Sequence, residues 1–399
     1  MRIKLAILVS VLVILGSFLF FSFANSTPFQ VVTSILGTSL EGVKPDEIPL
    51  VLSLLEEKWK AAPLTIQAGE KIYQVDKKNW DIKWEIPQMK NLVLKKEVQT
   101  LPIVFSWDEK KVENTLYQIA QEAQTLPQDA YFVSGRIIPS IPGRKLNIEK
   151  AKEEIQKNIE QGEDQIILHS FQEIPPAKST QLILEEVGLG YQLSRFQTSL
   201  AEREPATIFN IKLACSAING IVLSPGEIFS FNQLVGKAEK EDGYQLTQVY
   251  ANGQLTPGYG GGICQVSSTL YNAILYTEAK VIERHPHSGY SATTSYVPPG
   301  RDAAVSYGFK DFCFSFPQQS VAIFAFIQGE ELTAEIWGEQ ENDFHPSIST
   351  KLISYQTCQE ESTEVIIETS IWNGGKKIKS YQDRYLTPCD MIEMLKENY

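Results

Sequence analysis

The chain has 399 residues, 43% apolar and 21% charged, an ordinary globular composition with length for two or three domains. Its net charge of −12, with no long basic run, excludes nucleic acid as a natural partner. The same acidic balance excludes adhesion of the protein body to an anionic membrane surface.

Arg2 and Lys4 precede an uncharged apolar stretch from Leu5 to Ala24. As a helix, such a stretch matches the roughly 30 Å hydrocarbon core of a bilayer. The positive flank predicts a cytoplasmic N-terminus and an extracytoplasmic body. On this reading residues 1–27 are a transmembrane anchor and the protein is a single-pass protein of the cell membrane. The rival reading is a signal peptide cleaved near Ser22, Ala24 or Ser26, which makes it secreted.

Next come two rounds of helix followed by hairpin. IPLVLSLLEEKWKAA reads as a helix, and LTIQAGEKIYQVDKK as two strands around Gly69. WDEKKVENTLYQIAQEAQ reads as a second helix, and DAYFVSGRIIPSIPGRKL as two strands around Gly135. Asn147 caps a further helix, and DQIILHSF closes the region as a strand, with His169 at its surface. This predicts small α+β domains over residues 28–100 and 101–178, the alternative being one irregular domain. Pro175 and Pro176 then mark a linker.

Residues 179–340 carry the chemistry. Ile208, Ile211, Ala214, Cys215 and Ile218 recur at helical spacing, which makes Cys215 a buried structural thiol. Further on, Gly260, Gly261 and Gly262 lead into a helix beginning near Cys264. Its residues Val266, Leu270, Ala273 and Ile274 form an apolar face, while Cys264, Ser268, Tyr271 and Leu275 lie opposite. Cys264 is thereby placed off the core stripe, in a first turn whose free N–H groups and dipole favour the thiolate. The glycines allow close approach of a substrate, and Ser268 and Tyr271 are candidate contacts. Gln265 either donates to an oxyanion or caps the loop.

A base and an orienting group follow in order. His285 and His287 lie in ERHPHSGY, and Asp302 opens a predicted strand in PPGRDAAV. Cys264, His287 and Asp302 form a candidate catalytic set, with His285 the competitor to His287. The bland reading makes Cys264 a turn residue and Asp302 a capping or ion-paired carboxylate. A zinc site from Cys264, His285 and His287 fits no standard spacing, so neither metal nor cofactor is expected. Arg284 and Arg301 either grip a substrate carboxylate or form structural ion pairs. FCFSF, VAIFAFI and LTAEIWG read as strands of an antiparallel sheet beneath the Cys-bearing helix, so the fold class is α+β.

Residues 341–399 read as a β-rich extension with a hairpin turn at Asn373, Gly374 and Gly375. Five cysteines leave at least one unpaired; Cys358 and Cys389 flank the hairpin and could pair, though connectivity is not readable from sequence.

PGEIFSFNQLVG, GGGICQVSSTLYNA, ERHPHS, YVPPGRDAAVSYG and LTAEIWG, in that order, resemble the VanW family over residues 196–338. LPQDAYF and PGRKLNIEKA resemble a peptidoglycan-binding domain that often precedes it, over residues 110–175. One departure is Tyr276, Thr277, Glu278 and Ala279, where many relatives carry a Gly-containing turn. The resemblance implies an envelope role near peptidoglycan, with the polymer or its stem peptides as partner, and no settled reaction. The residues then support three roles: a Cys-dependent amide hydrolase or transferase, a non-catalytic peptidoglycan binder, or an envelope scaffold.

Overall fold

The computed structural model describes residues 34–95, 100–251, 254–291, 294–356 and 361–399. The anchor or signal expected over residues 1–27 lies outside these. Among the described residues no helix is long and apolar enough to cross a membrane. The chain divides into two compact units: residues up to 126 with 143–174, and residues 127–142 with 175–399.

The first unit has one core. Helix Glu109–Ala123 buries Val112, Leu116, Ile119 and Ala123, and helix Ile148–Glu160 buries Ala151, Ile155 and Ile159, stripes set by the 3.6-residue period. Asp108 and Asn147 cap them by accepting from the amides of Lys111 and Lys150, both at 3.2 Å. Strand Leu64–Ala68 pairs antiparallel with Lys71–Val75 and parallel with Gln165–Leu168. That parallel pairing joins the regions expected as separate domains at 28–100 and 101–178. Their apolar residues, from Ile35 to Leu168, form one cluster. The hairpin around Gly135 instead belongs to the second unit, as its outermost two strands.

The second unit is built on a six-stranded antiparallel sheet. Its strands run in the order Tyr191–Ser199, Glu331–Gly338, Val321–Gln328, Ile221–Leu223, Arg136–Ile138 and Tyr131–Val133. Helix Pro205–Ile218 packs on Val321–Gln328, and helix Ile263–Leu275 on Tyr191–Ser199 and Glu331–Gly338. Ile211, Ile218, Val266, Leu270 and Ile274 are nearly inaccessible there, and each such side chain contributes about 1.5–3 kcal/mol of transfer free energy. Two three-stranded sheets (Ile228–Ser230, Cys313–Ser315 and Lys280–Glu283, then Ser347–Tyr355, Ser362–Asn373 and Lys376–Pro388) and the two-stranded pair Leu246–Ala251 with Gln254–Tyr259 complete the unit.

Two expectations change here. Helix Ile263–Leu275 has no open face, since every residue from Gln265 to Leu275 is buried, including Ser268, Tyr271 and Leu275. Residues 301–305 form no strand. One cause explains both. The backbone of 301–303 finds its partners on the helix side chains instead of in a ladder. Ala303 N donates to Ser268 Oγ (2.9 Å), Ser267 Oγ donates to Ala303 O, and Asn272 Nδ2 donates to Arg301 O (2.7 Å). Helical phase identifies a polar face but not that a loop needing hydrogen bonds will cover it.

Gly300 introduces that loop at φ +82°, where an added Cβ would lie 2.2 Å from Thr369 Oγ1. Gly300→Ala is therefore expected to cost about 3 kcal/mol. A lowered urea midpoint with unchanged slope would show it.

Candidate active site

Three separate segments converge on one cavity of about 500 Å³. The helix Ile263–Leu275 supplies Cys264 near its N-terminus; the loop after strand Lys280–Glu283 supplies His287; the loop covering the helix supplies Val305 to the wall and Asp302 behind His287. Gly260, Gly261 and Gly262 line the cavity beside Cys264. Gly262 sits at φ +102°, with Ile211 Cγ1 only 2.8 Å from where a Cβ would stand, so only glycine lets the chain enter the helix here. The Cys264 N–H, in the first turn, has no backbone acceptor among the described residues.

On one side His287 faces the cavity that Cys264 also lines, and each shifts the other's titration. On the other, its Nδ1 lies 2.6 Å from Asp302 Oδ2, which also accepts from the His287 backbone N–H at 2.7 Å. Asp302 Oδ1 accepts from Arg284 Nη2 (2.9 Å) and Tyr385 Oη (2.6 Å). The carboxylate is 1% exposed and fully satisfied, which makes it a fixed acceptor that orients the imidazole.

The electrostatics follow from these contacts. Burial alone would push the Cys264 thiol up, but the hydrogen bond and charge of His287 bring it below its ordinary value. Burial would lower His287, yet its hydrogen bonds to Asp302 and Cys264 raise it to about 10. Burial would raise Asp302, and His287 with Arg284 pulls it well below the usual carboxylate range. Both shifts run in the direction that favours a thiolate beside an imidazolium over the neutral pair.

The other cysteines differ. Burial pushes Cys215 up to about 12. Cys313 also rises to about 12, from burial and then the neighbouring Asp311 and Glu283 carboxylates. Cys389 is disulfide-bonded; Cys358, named with it from sequence, lies outside the described residues. Brief iodoacetamide treatment of the native protein at pH 7 is expected to alkylate Cys264 and leave Cys215 and Cys313 unmodified. Peptide mass mapping reads this directly.

The remaining residues singled out from sequence fall elsewhere. His285 Nε2 lies 2.9 Å from Glu283 Oε1 and does not line the cavity. Gln265 lines the cavity, and its amide donates to Thr198 Oγ1 (3.1 Å) and Ser199 O (2.9 Å) at the end of strand Tyr191–Ser199. Arg284 bridges Asp302 and Asp383. Arg301 donates to Asn272 Oδ1 (2.7 Å) and Tyr276 Oη (3.2 Å). Both arginines lie outside the cavity wall, as do Ser268 and Tyr271; Tyr271 Oη is 2.6 Å from Tyr381 Oη. Among the described residues no three His, Cys, Asp or Glu side chains are grouped to hold a metal.

Sequence reasoning missed Tyr296, Asp383 and Tyr385. Tyr296 lines the cavity and lies under the Arg203 guanidinium, 5.4 Å from the ring centroid. Asp383 and Tyr385 had a signal: YQDRYL alternates so that Asp383 and Tyr385 share the buried face of a strand, an unusual place for a carboxylate.

Residues 206–337 match the family model described as "VanW like protein", and residues 65–167 match "Putative peptidoglycan binding domain". The chain is 35% identical over 210 residues to "Uncharacterized protein YoaR" of Bacillus subtilis (strain 168), covering 52% of this chain and 67% of that protein. The chain belongs to the VanW family. It is also 40% identical over 106 residues to "Vancomycin B-type resistance protein VanW" of Enterococcus faecalis (strain ATCC 700802 / V583), covering 26% of this chain and 38% of that protein. No solved structure matches. Cys264, His287 and Asp302 all fall inside the stretch matched to the VanW family, and the first unit contains the peptidoglycan-binding match except for residues 127–142, which belong to the second.

Proposed function

We propose that this VanW-family protein is a cysteine-dependent hydrolase or transferase of peptide amides in peptidoglycan. The observation that carries it is His287, which lines the cavity together with Cys264 and is hydrogen-bonded to buried Asp302. Cys264 thiolate attacks the amide carbonyl carbon, and the Cys264 N–H stabilises the oxyanion. The C–N bond breaks as His287 gives its proton to the leaving amine, leaving a thioester. Water or a second amine, deprotonated by the now neutral His287, attacks the thioester and releases the thiolate.

The choice of substrate rests on the peptidoglycan-binding match and on the printed name of the VanW relative, which links that protein to vancomycin resistance. The cavity agrees with a peptide bearing charges of both signs. Its wall includes Glu202, Glu204 and Lys237, with Tyr259 and Tyr307 as apolar surface. The N-terminal apolar segment supports attachment to the outer face of the cell membrane.

Incubation with purified sacculi and with defined muropeptides, followed by mass spectrometry, tests the reading. The untreated protein is expected to release or exchange peptides, and protein alkylated at Cys264 to release none. A protein that binds sacculi but yields no new product under any acceptor is a non-catalytic binder, and the reading is wrong.

A further inference from the structure

The residues that complete the Asp302 environment come from beyond the VanW match. Strand Lys376–Pro388 turns Asp383 and Tyr385 inward on one face, while Arg384 faces solvent between them. Tyr385 accepts at its hydroxyl oxygen from the Gly300 N–H (2.8 Å), which directs its single hydroxyl hydrogen to Asp302 Oδ1 (2.6 Å). Asp383 Oδ2 takes Arg284 Nη1 at 2.6 Å, while Arg284 Nε and Nη2 hold the backbone oxygen and carboxylate of Asp302. The same strand also grips the segment after His287. Leu386 N donates to Ser288 O (2.9 Å), and Tyr290 N donates to Leu386 O (3.1 Å). One strand therefore fixes both the carboxylate and the loop that bears the imidazole, yet the family match ends at residue 337.

We propose that the C-terminal three-stranded sheet is a working part of the catalytic site, with Tyr385 and Asp383 acting as positioning residues for Asp302 and, through it, for His287. This rests on reading Cys264, His287 and Asp302 as the catalytic set. The physical reason is that Asp302 Oδ2 is committed to His287, so its orientation depends on what holds Oδ1. Tyr385 supplies one of those two contacts, and Arg284, aligned by Asp383, supplies the other. Tyr290 and Tyr296 also face this charge, as do Tyr271 and Tyr381 around Arg284, and all four are phenols that stay neutral near pH 7. Among the described residues the other charges at Asp302 are Arg284, His287, Cys264 and Asp383.

The test is the pH dependence of Cys264 alkylation by iodoacetamide in the full chain, which needs no substrate. Tyr385→Phe keeps the ring and removes the hydroxyl. It is expected to raise the thiolate midpoint by about one pH unit and to slow alkylation at pH 6 about tenfold. Asp383→Asn is expected to shift the midpoint the same way, and Asp383→Glu to restore part of it. Arg384→Ala, on the outer face of the same strand, is expected to match wild type. Folding is checked by circular dichroism, and if Tyr385→Phe does not fold, Asp383→Asn decides. Folded variants with the wild-type midpoint would overturn the proposal while leaving the catalytic set intact. A wild-type Cys264 that titrates like an ordinary thiol would instead overturn the reading on which it rests.

Discussion

Cys264→Ser is expected to lower amide turnover by about a thousandfold or more while leaving the fold unchanged. The substitution is nearly isosteric, and Cys264 Sγ has a loose contact, 3.5 Å from Val305 O, that a hydroxyl can replace. What it removes is ionisation. His287, with Asp302 behind it, brings a thiol below its ordinary value but cannot bring an alcohol near neutrality. Substrate binding should persist, because the cavity wall is otherwise intact. Steady-state rates on muropeptides, with binding measured by sacculus pull-down, separate the two effects.

Asp302→Asn is expected to harm both reactivity and stability. An amide in place of the carboxylate offers a donor where His287 N and Nδ1 need an acceptor, which loosens the imidazole or turns it to the wrong tautomer. A loss of about 10³–10⁴-fold in turnover is expected, the scale of such changes in catalytic triads. The buried Arg284 also loses one of its two carboxylates, and breaking a pair of this kind costs about 3–5 kcal/mol. The linkage has a definite sign. Asp302 is depressed in the folded state, so its contribution is present above the unfolded carboxylate value of about 4. It is lost as the pH falls toward the depressed value. The stability gap between wild type and Asp302→Asn should therefore be widest near neutrality and narrow in acid, as urea titrations between pH 7 and pH 3 would show.

Much of this was legible in the sequence, for identifiable reasons. Asn147, the strands around Gly69 and the turn at Asn373–Gly375 are local signals, and local hydrogen bonding decides them. Helical phase set Cys264 apart from Val266, Leu270 and Ile274; in the structure it lines the cavity while also packing against their core. The phase could not show that Ser267, Ser268 and Asn272 spend their polar groups on the 301–303 backbone. Arg284 and Arg301 were ambiguous because a guanidinium suits a substrate carboxylate and an internal one equally well. Their partners Asp383 and Asn272 lie 99 and 29 residues away. Tyr385 likewise meets Asp302 across 83 residues, through strand register and not through any pattern near the cysteine.

The account turns on the charge state of Cys264 and His287 at rest. Nitrogen-15 NMR of the full chain labelled at histidine reads it directly. Cys264→Ser identifies the His287 signals by their displacement. The prediction is that both His287 ring nitrogens carry protons at pH 7 in the wild type and that the imidazolium persists until the pH nears 10. A His287 that is neutral at pH 7, in a single tautomer with an ordinary titration midpoint, would contradict it.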